Sequence, residues 1–437
     1  MVVDSQKLET VTVTSIPPNL EVSPVPGKTA TGQDQPDETP SPDSPPLTPI
    51  PGTTGQLCPV YKDKSQFPRD GTFSGSLVLR EVVNRPYLFL DMQTGNQHLV
   101  PEGDNHSVGG EAISPDHRWL AFSQATFRNS VNDFSGTPWV LVSEEIVVVS
   151  ADGKVASSVA KQERWRSFEG AWANSSAYLV NRSSPFLVRF NPFTGLWDEF
   201  SFDAPNRYFD DYDDVKVKAN QVHEQFVYLK KDLASFIVWD WRNQVSLVEI
   251  PFATNYWHMR GHFGLSPKWS PDGEHFVIVG SQEGDPGTDY PTGQVYIVSQ
   301  MGQVTRLTNF PEEAENTYEL GQYSWSPDGQ KIAIWVNFDP KEDTLNELVV
   351  IDVPTGEAVR YCILNDVEIT DPVDKRVLYG EDTRLPPIWS PDSSSIMVQS
   401  ARGIWETRLT LINLDQGVAW ELDYNARPVG WMTAAGE

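Results

Sequence analysis

One pentapeptide, Trp269-Ser270-Pro271-Asp272-Gly273, constrains this chain more than any other feature. It recurs as Trp325-Ser326-Pro327-Asp328-Gly329 and as Trp389-Ser390-Pro391-Asp392-Ser393. An earlier copy, Ile113-Ser114-Pro115-Asp116-His117, lacks both the Trp and the Gly. Each copy precedes a short apolar run. Pro pre-sets φ for the first central position of a turn, Asp tolerates the second, and Gly takes the left-handed position. Ser at the entry can accept a local backbone hydrogen bond. The motif therefore predicts a tight hairpin with a Trp placed to pack between sheets.

The clearest unit continues from this turn through His275–Val279 and Val295–Val298. A second turn at Met301-Gly302 then leads into Val304–Leu307. Four short strands per unit, with turn signals between them, mark an all-β repeat architecture. The same unit fits 112–155, 171–197, 215–248, 332–360 and 396–420, with 171–197 and 215–248 the most degenerate. Pro428 to Met432 reads as one further first strand. Ser76–Leu79, Tyr87–Leu90 and Gln97–Val100 read as a second, third and fourth strand without a first. Pairing the two ends closes a ring and leaves no gap between its first and last members. The expected fold is therefore all-β: a seven-bladed β-propeller over residues 71–437, closed by one C-terminal plus three N-terminal strands.

Residues 1–60 differ in texture. They contain no aromatic residue, and eleven prolines fall between Pro17 and Pro51. Such a segment cannot bury enough apolar surface to offset its ordering entropy. It reads as a disordered Pro/Ser/Thr-rich linker of polyproline character. Pro42 and Pro45 give one PxxP spacing, the alternative reading being a ligand for a Pro-binding module. Linkers of this kind often hold a domain away from a bacterial envelope.

The formal net charge is −27. That argues against nucleic acid, which needs a basic surface, and against docking on anionic lipid. No run approaches the roughly 20 apolar residues of a transmembrane helix, and Met1 to Ile16 lack the features of a signal peptide. Cys58 and Cys362 form neither a disulfide framework nor a zinc spacing; one bridge tying the tail to the domain and two free thiols are both open.

The run Trp269 to Gly273, with Tyr296-Ile297-Val298 and Arg306-Leu307-Thr308, resembles the TolB-type, WD40-like β-propeller repeat. The resemblance covers roughly residues 71–437 and implies the propeller fold. It says little about function, because such propellers dock protein partners, gate peptidase domains or carry lyase activity. TolB has an additional N-terminal α/β domain where this chain has a Pro-rich tail.

Catalytic signatures are sparse. The sequence has no G-x-S-x-G elbow, H-E-x-x-H, paired C-x-x-C, P-loop or G-x-G-x-x-G. His258 and His262 stand four apart, but Gly261, Gly264 and Pro267 place them on a loop. Asp210, Asp211, Asp213 and Asp214 are weak calcium candidates; otherwise no cofactor is expected.

Loop length is more informative. Links from a fourth strand to the next first strand share a face with links from second to third strands, and the long connections are of these two kinds. That face carries Trp165, Arg166, Tyr208, Tyr256, Trp257, His258, Arg260, Tyr318, Arg376, Tyr379 and Arg384. Aromatic residues and Arg are enriched at binding hot spots, and function concentrates on loops borne by rigid scaffolds. The sequence thus leads to a monomeric, non-catalytic propeller of the bacterial cell envelope, periplasmic, secreted or surface-tethered. It would engage a protein, peptide or glycan on the long-loop face. The alternative is a carbohydrate-active lyase or hydrolase with a metal-assisted site at the propeller mouth.

Overall fold

The computed structural model describes residues 53–63, 67–68, 72–81, 87–100, 106–129, 139–160, 171–175, 177–183, 186–201, 218–229, 235–251, 267–280, 294–310, 319–337, 345–366, 385–402, 406–422, 424 and 426–433. Its strands form seven sheets arranged as a β-propeller. Sheet I comprises His106–Ile113, Trp119–Asn129, Trp139–Ser150 and Val155–Ala160. Sheet II is Ala171–Asn174, Ala177–Ser183, Phe186–Phe190 and Trp197–Ser201. Sheet III is Lys218–Ala219, Gln225–Leu229, Ser235–Asp240 and Val245–Pro251. Sheet IV is Lys268–Trp269, His275–Gly280, Gln294–Ser299 and Val304–Arg306. Sheet V is Glu319–Trp325, Lys331–Asn337, Leu345–Asp352 and Ala358–Asp366. Sheet VI is Ile388–Trp389, Ser395–Arg402, Glu406–Asn413 and Val418–Leu422. Sheet VII pairs Ala426–Met432 with Ser76–Glu81, followed by Tyr87–Asp91 and Gln97–Val100.

The expected fold, a propeller of seven four-stranded blades over residues 71–437, is corrected in its blade count, its strand content and its start. Six sheets are runs of four chain-consecutive strands, and the seventh is a composite of the two chain ends. Two of those six carry a fifth strand. Gly55–Leu57 lies parallel to Val359–Tyr361 on sheet V, and Val60–Lys62 lies parallel to Val418–Trp420 on sheet VI. The propeller sheets therefore begin upstream of residue 71. The Val60–Lys62 strand is exposed along its length, so no burial pattern announced it. Between the two added strands, Cys58 is disulfide-bonded to Cys362, with the Cα atoms 4.7 Å apart. This decides between the two open readings of the cysteines. In the most degenerate unit, residues 215–217 lie outside the described residues, and the described inner strand is Lys218–Ala219.

The turn chemistry follows the motif. The Ser270 hydroxyl donates to Asp272 Oδ1 (2.5 Å) and accepts from the His275 amide (3.1 Å). Asp272 Oδ1 also accepts from the Glu274 amide (3.0 Å). The same Ser-to-Asp bond recurs at Ser114, Ser326 and Ser390. Gly273 and Gly329 take positive φ, 74° and 69°. Where the Gly is missing, His117 and Ser393 adopt the left-handed conformation instead, at 58° and 62°. Each is held by a further contact. His117 Nδ1 meets the Trp431 carbonyl (2.7 Å), and Ser393 Oγ accepts from the Asp328 amide (3.0 Å).

Apolar clusters fill the spaces between successive sheets. Trp172, Val188 and Phe190 of sheet II pack on Ala121, Ile146 and Val148 of sheet I. Val277 and Val295 of sheet IV pack on Ile332 and Val349 of sheet V. At the closure, Val78 and Phe89 of sheet VII meet Leu120 and Phe122 of sheet I. Burying such side chains is worth about 1.5–3 kcal/mol each. A polar clamp adds to this closure. Arg80 and Arg427 stand opposite each other in register, and both donate to Glu111 of sheet I. One carboxylate thereby ties both chain ends to the next sheet.

Two expectations follow. The bridge closes a covalent loop between residues 304 positions apart, so a Cys58→Ser/Cys362→Ser variant should lose about 2–5 kcal/mol in urea denaturation. Reduction of the wild type should give the same loss, and non-reducing peptide mapping should recover the Cys58–Cys362 link. Second, Asp272 and Asp328 have lowered pKa values: partial burial opposes this, but the Ser hydroxyl and backbone amides bonded to each carboxylate outweigh it. A carboxylate depressed in the folded state gives stability that is present above its unfolded pKa of about 4 and is lost as pH falls further. An Asp272→Asn/Asp328→Asn variant should lose about 1 kcal/mol per site at neutral pH. Its stability should also fall less steeply than the wild type's between about pH 5 and 2.

Candidate functional site: the central channel

The innermost strands converge on the propeller axis, and their short sequences set what faces it. Trp172, Trp269, Trp325, Trp389 and Trp431 stand at equivalent places, and all five line a cavity of about 490 Å³. Their indole N–H groups are already committed. Trp172 donates to the Ala112 carbonyl (3.0 Å), Trp269 to Lys218 (2.9 Å), Trp325 to Lys268 (3.0 Å) and Trp389 to Ser324 (3.3 Å). Each of these bonds reaches the inner strand of the preceding sheet. Trp431 donates instead to the Ser74 carbonyl (2.8 Å), within the composite sheet.

The lining reaches both ends of the inner strands, with Pro115, Pro271 and Pro327 from the tight turns and Pro267 and Pro387 from the opposite ends. The residue before the Trp differs from sheet to sheet. It is Lys in sheets III and IV, where Lys218 and Lys268 occupy matching positions, Ser324 in sheet V and Ile388 in sheet VI. The described lining contains no Asp or Glu. Lys268 Nζ donates to the Tyr323 carbonyl and lies 4.9 Å from the centre of the Tyr323 ring. Burial pushes the Tyr323 hydroxyl far above the usual phenol range, and the protonated group donates to the Val277 carbonyl (3.0 Å). Tyr323 is thus fixed from both ends and in turn positions Lys268.

Every residue singled out from the sequence as a binding candidate lies outside the described residues. These are Trp165, Arg166, Tyr208, Tyr256, Trp257, His258, Arg260, Tyr318, Arg376, Tyr379 and Arg384, together with the calcium candidates Asp210, Asp211, Asp213 and Asp214. Among the described residues no group of three or more His, Cys, Asp or Glu is arranged to hold a metal ion. Sequence reasoning missed the two channel lysines. The available signal was their register, since each immediately precedes the Trp position of its repeat.

The strand bounds do define the two faces. Downstream of Ser76, every connection longer than six residues leaves a second or a fourth strand, as at 130–138, 202–217, 252–267, 281–293 and 367–387. Connections on the tight-turn face run from two residues (175–176) to six (191–196).

No family model matches the chain. A Bacillus subtilis (strain 168) protein described as the uncharacterized peptidase YuxL is 34% identical over 77 residues, which is 17% of this chain and 10% of that protein. The chain thus spans about a tenth of that relative's length. Among solved structures, an oligogalacturonate lyase in complex with manganese is similar with a TM-score of 0.48 and 17% identity, over 82% of this chain and 88% of the other. TolB from Acinetobacter baumannii is similar with a TM-score of 0.40 and 13% identity, over 88% and 98%. The repeated Trp-Ser-Pro-Asp turn, the inner-strand Trp residues and the composite closing sheet together make the architecture that of a β-propeller.

Proposed function

We propose that this chain is a non-catalytic binding propeller of the bacterial cell envelope, which engages a protein, peptide or glycan on its long-connection face. The asymmetry of the connections carries this reading. One face has turns of two to six residues, and the other bears the longer connections, in whose sequence the aromatic and Arg residues typical of hot spots fall. Loops of variable length on a rigid scaffold are the usual carriers of recognition.

The disulfide supports a location outside the cytoplasm, because such bonds persist in oxidising compartments. Among the described residues, no helix is long and apolar enough to cross a membrane. The strap that carries Cys58 runs along the outer strands of sheets V and VI. A tether upstream of it would therefore pull on a covalently fastened rim and not on the closing sheet.

The test is capture from envelope extract followed by hydroxyl-radical footprinting of the complex. A Tyr256→Ala/Trp257→Ala/Arg260→Ala variant with an unchanged melting temperature should lose capture by at least about tenfold. Protection should map to the long connections. Undiminished capture by the variant, with protection confined to the tight-turn face, would overturn the proposal.

A further inference from the structure

We infer that the groove between sheets IV and V, at their tight-turn end, is a second binding site, for a neutral hexopyranose, either free or as one unit of a glycan. It lies on the face opposite the long connections and does not depend on the function proposed above.

The two sheets leave this end of their interface incompletely covered. Ile297 and Leu307 on the side of sheet IV, and Trp325 and Val353 on the side of sheet V, pack against the apolar cluster between them and stay partly exposed. The same four side chains line a cavity of about 260 Å³. Corresponding places elsewhere in the ring are occupied. Between sheets I and II, Trp119 follows the tight turn as His275 does here, and its ring stands 5.1 Å from that of Phe193. Between sheets III and IV, Gln225 holds that position, and its amide donates to Gln300 (3.4 Å). In the places of Gln225 and Gln300, the interface of sheets IV and V has His275 and Val353, and both line the cavity.

Register sets polar groups over this floor. His275 stands opposite Ser299, and Thr305 stands opposite Ile297. Directly opposed residues share a face of a sheet, as do residues two apart on one strand. Val277 and Ile297 face sheet V, so His275, Ser299 and Thr305 face it too. Asp272 and Gln303 join them from the two turns of sheet IV. Much of their bonding capacity is unused. Among the described residues the His275 ring, the Gln303 amide and the Thr305 hydroxyl have no hydrogen-bond partner. Asp272 bonds its own turn through Oδ1, which leaves Oδ2.

A pyranose matches both parts. The C–H face of its ring suits the apolar floor, and its hydroxyls each donate and accept, as the imidazole, amide, hydroxyl and carboxylate of the rim require. A hydroxyl that donates to a carboxylate makes a charge-assisted bond, stronger than a neutral one. At about 260 Å³ the cavity falls below the range of drug-sized pockets, which limits it to a single ring. Charge selects further. Asp272 brings a negative charge, the described lining holds no Lys or Arg, and the chain carries a net charge of −27. An acidic sugar is therefore disfavoured.

The test is NMR titration of the whole chain with methyl glucoside, methyl galactoside and methyl mannoside. At least one should bind, and the matching uronate should bind at least about tenfold more weakly. Gln303→Ala, in an exposed turn, should weaken the bound glycoside by about three- to tenfold. His275→Trp, which gives sheet IV the ring that sheet I carries at this place, should abolish binding. His275→Ala replaces it if that variant fails to fold, with an expected loss of about tenfold. A disaccharide of the bound sugar distinguishes the sources: tighter binding assigns the site to a glycan unit, and equal or weaker binding assigns it to a free sugar. No binding of any glycoside, uronate binding equal to that of the neutral sugar, tighter binding of cyclohexylamine than of every glycoside, or no response to folded His275 and Gln303 variants would each overturn the inference.

Discussion

The interaction on which the rest of this structure depends is the bond from an inner-strand indole N–H to a carbonyl of the preceding sheet. A β-sheet edge satisfies its own ladder but does nothing to fix its angle to the next sheet. Apolar packing between sheets is non-directional. The Trp supplies both parts at once, a large apolar body for the interface and one directed hydrogen bond at its end. Four contacts of this kind, at Trp172, Trp269, Trp325 and Trp389, set the spacing of inner strands around the axis. The channel is what that spacing leaves open.

The exceptions show the same constraint met by other means. Sheet III has Ala219 in the Trp position, and its next residue, Asn220, donates to the Gly273 carbonyl of sheet IV (2.7 Å). On its other side, Arg189 of sheet II pairs with Glu224 (2.9 Å) and lies 4.9 Å from the Trp241 ring. Directed polar contacts replace the missing indole. At the ring closure Trp431 turns inward to Ser74, and the task of reaching the next sheet passes to Glu111 and its two arginines. A half-buried cluster of this kind depends on all its members, since removing the carboxylate would leave two neighbouring guanidinium groups facing each other. The disulfide-fastened strap reinforces sheets V and VI, on one side of that closure.

This division explains what could be read in the sequence. The Ser-Pro-Asp-Gly turn is local chemistry, complete within five residues, so each copy was visible, as was the inter-sheet role of its Trp. The strap was not visible. Gly55–Leu57 and Val60–Lys62 are three residues each and add to outer edges with side chains largely exposed, and leave no alternation to detect. The pairing of Cys58 with Cys362 depends on which outer strand the strap follows, a property of the closed ring. The channel lysines were missed for a related reason. Lys218 and Lys268 are 50 positions apart and become neighbours only when the repeats are superposed around an axis. The candidates on the long connections lie outside the described residues, so the strand bounds support their face and not their individual roles.

A propeller that fastens its outer rim covalently and its inner ring by hydrogen bonds has little freedom left in its sheets. Change on binding must then fall in the connections or in side chains that project into the channel. The tight-turn face lacks the first kind of freedom, because its turns are closed by bonds from Ser and Asp to the backbone. Its channel wall, lined by the inner-strand tryptophans, is preformed. The opposite face has connections long enough to fit a macromolecular surface. The two ends of the ring thus differ in kind, with short bonded turns at one and long connections at the other.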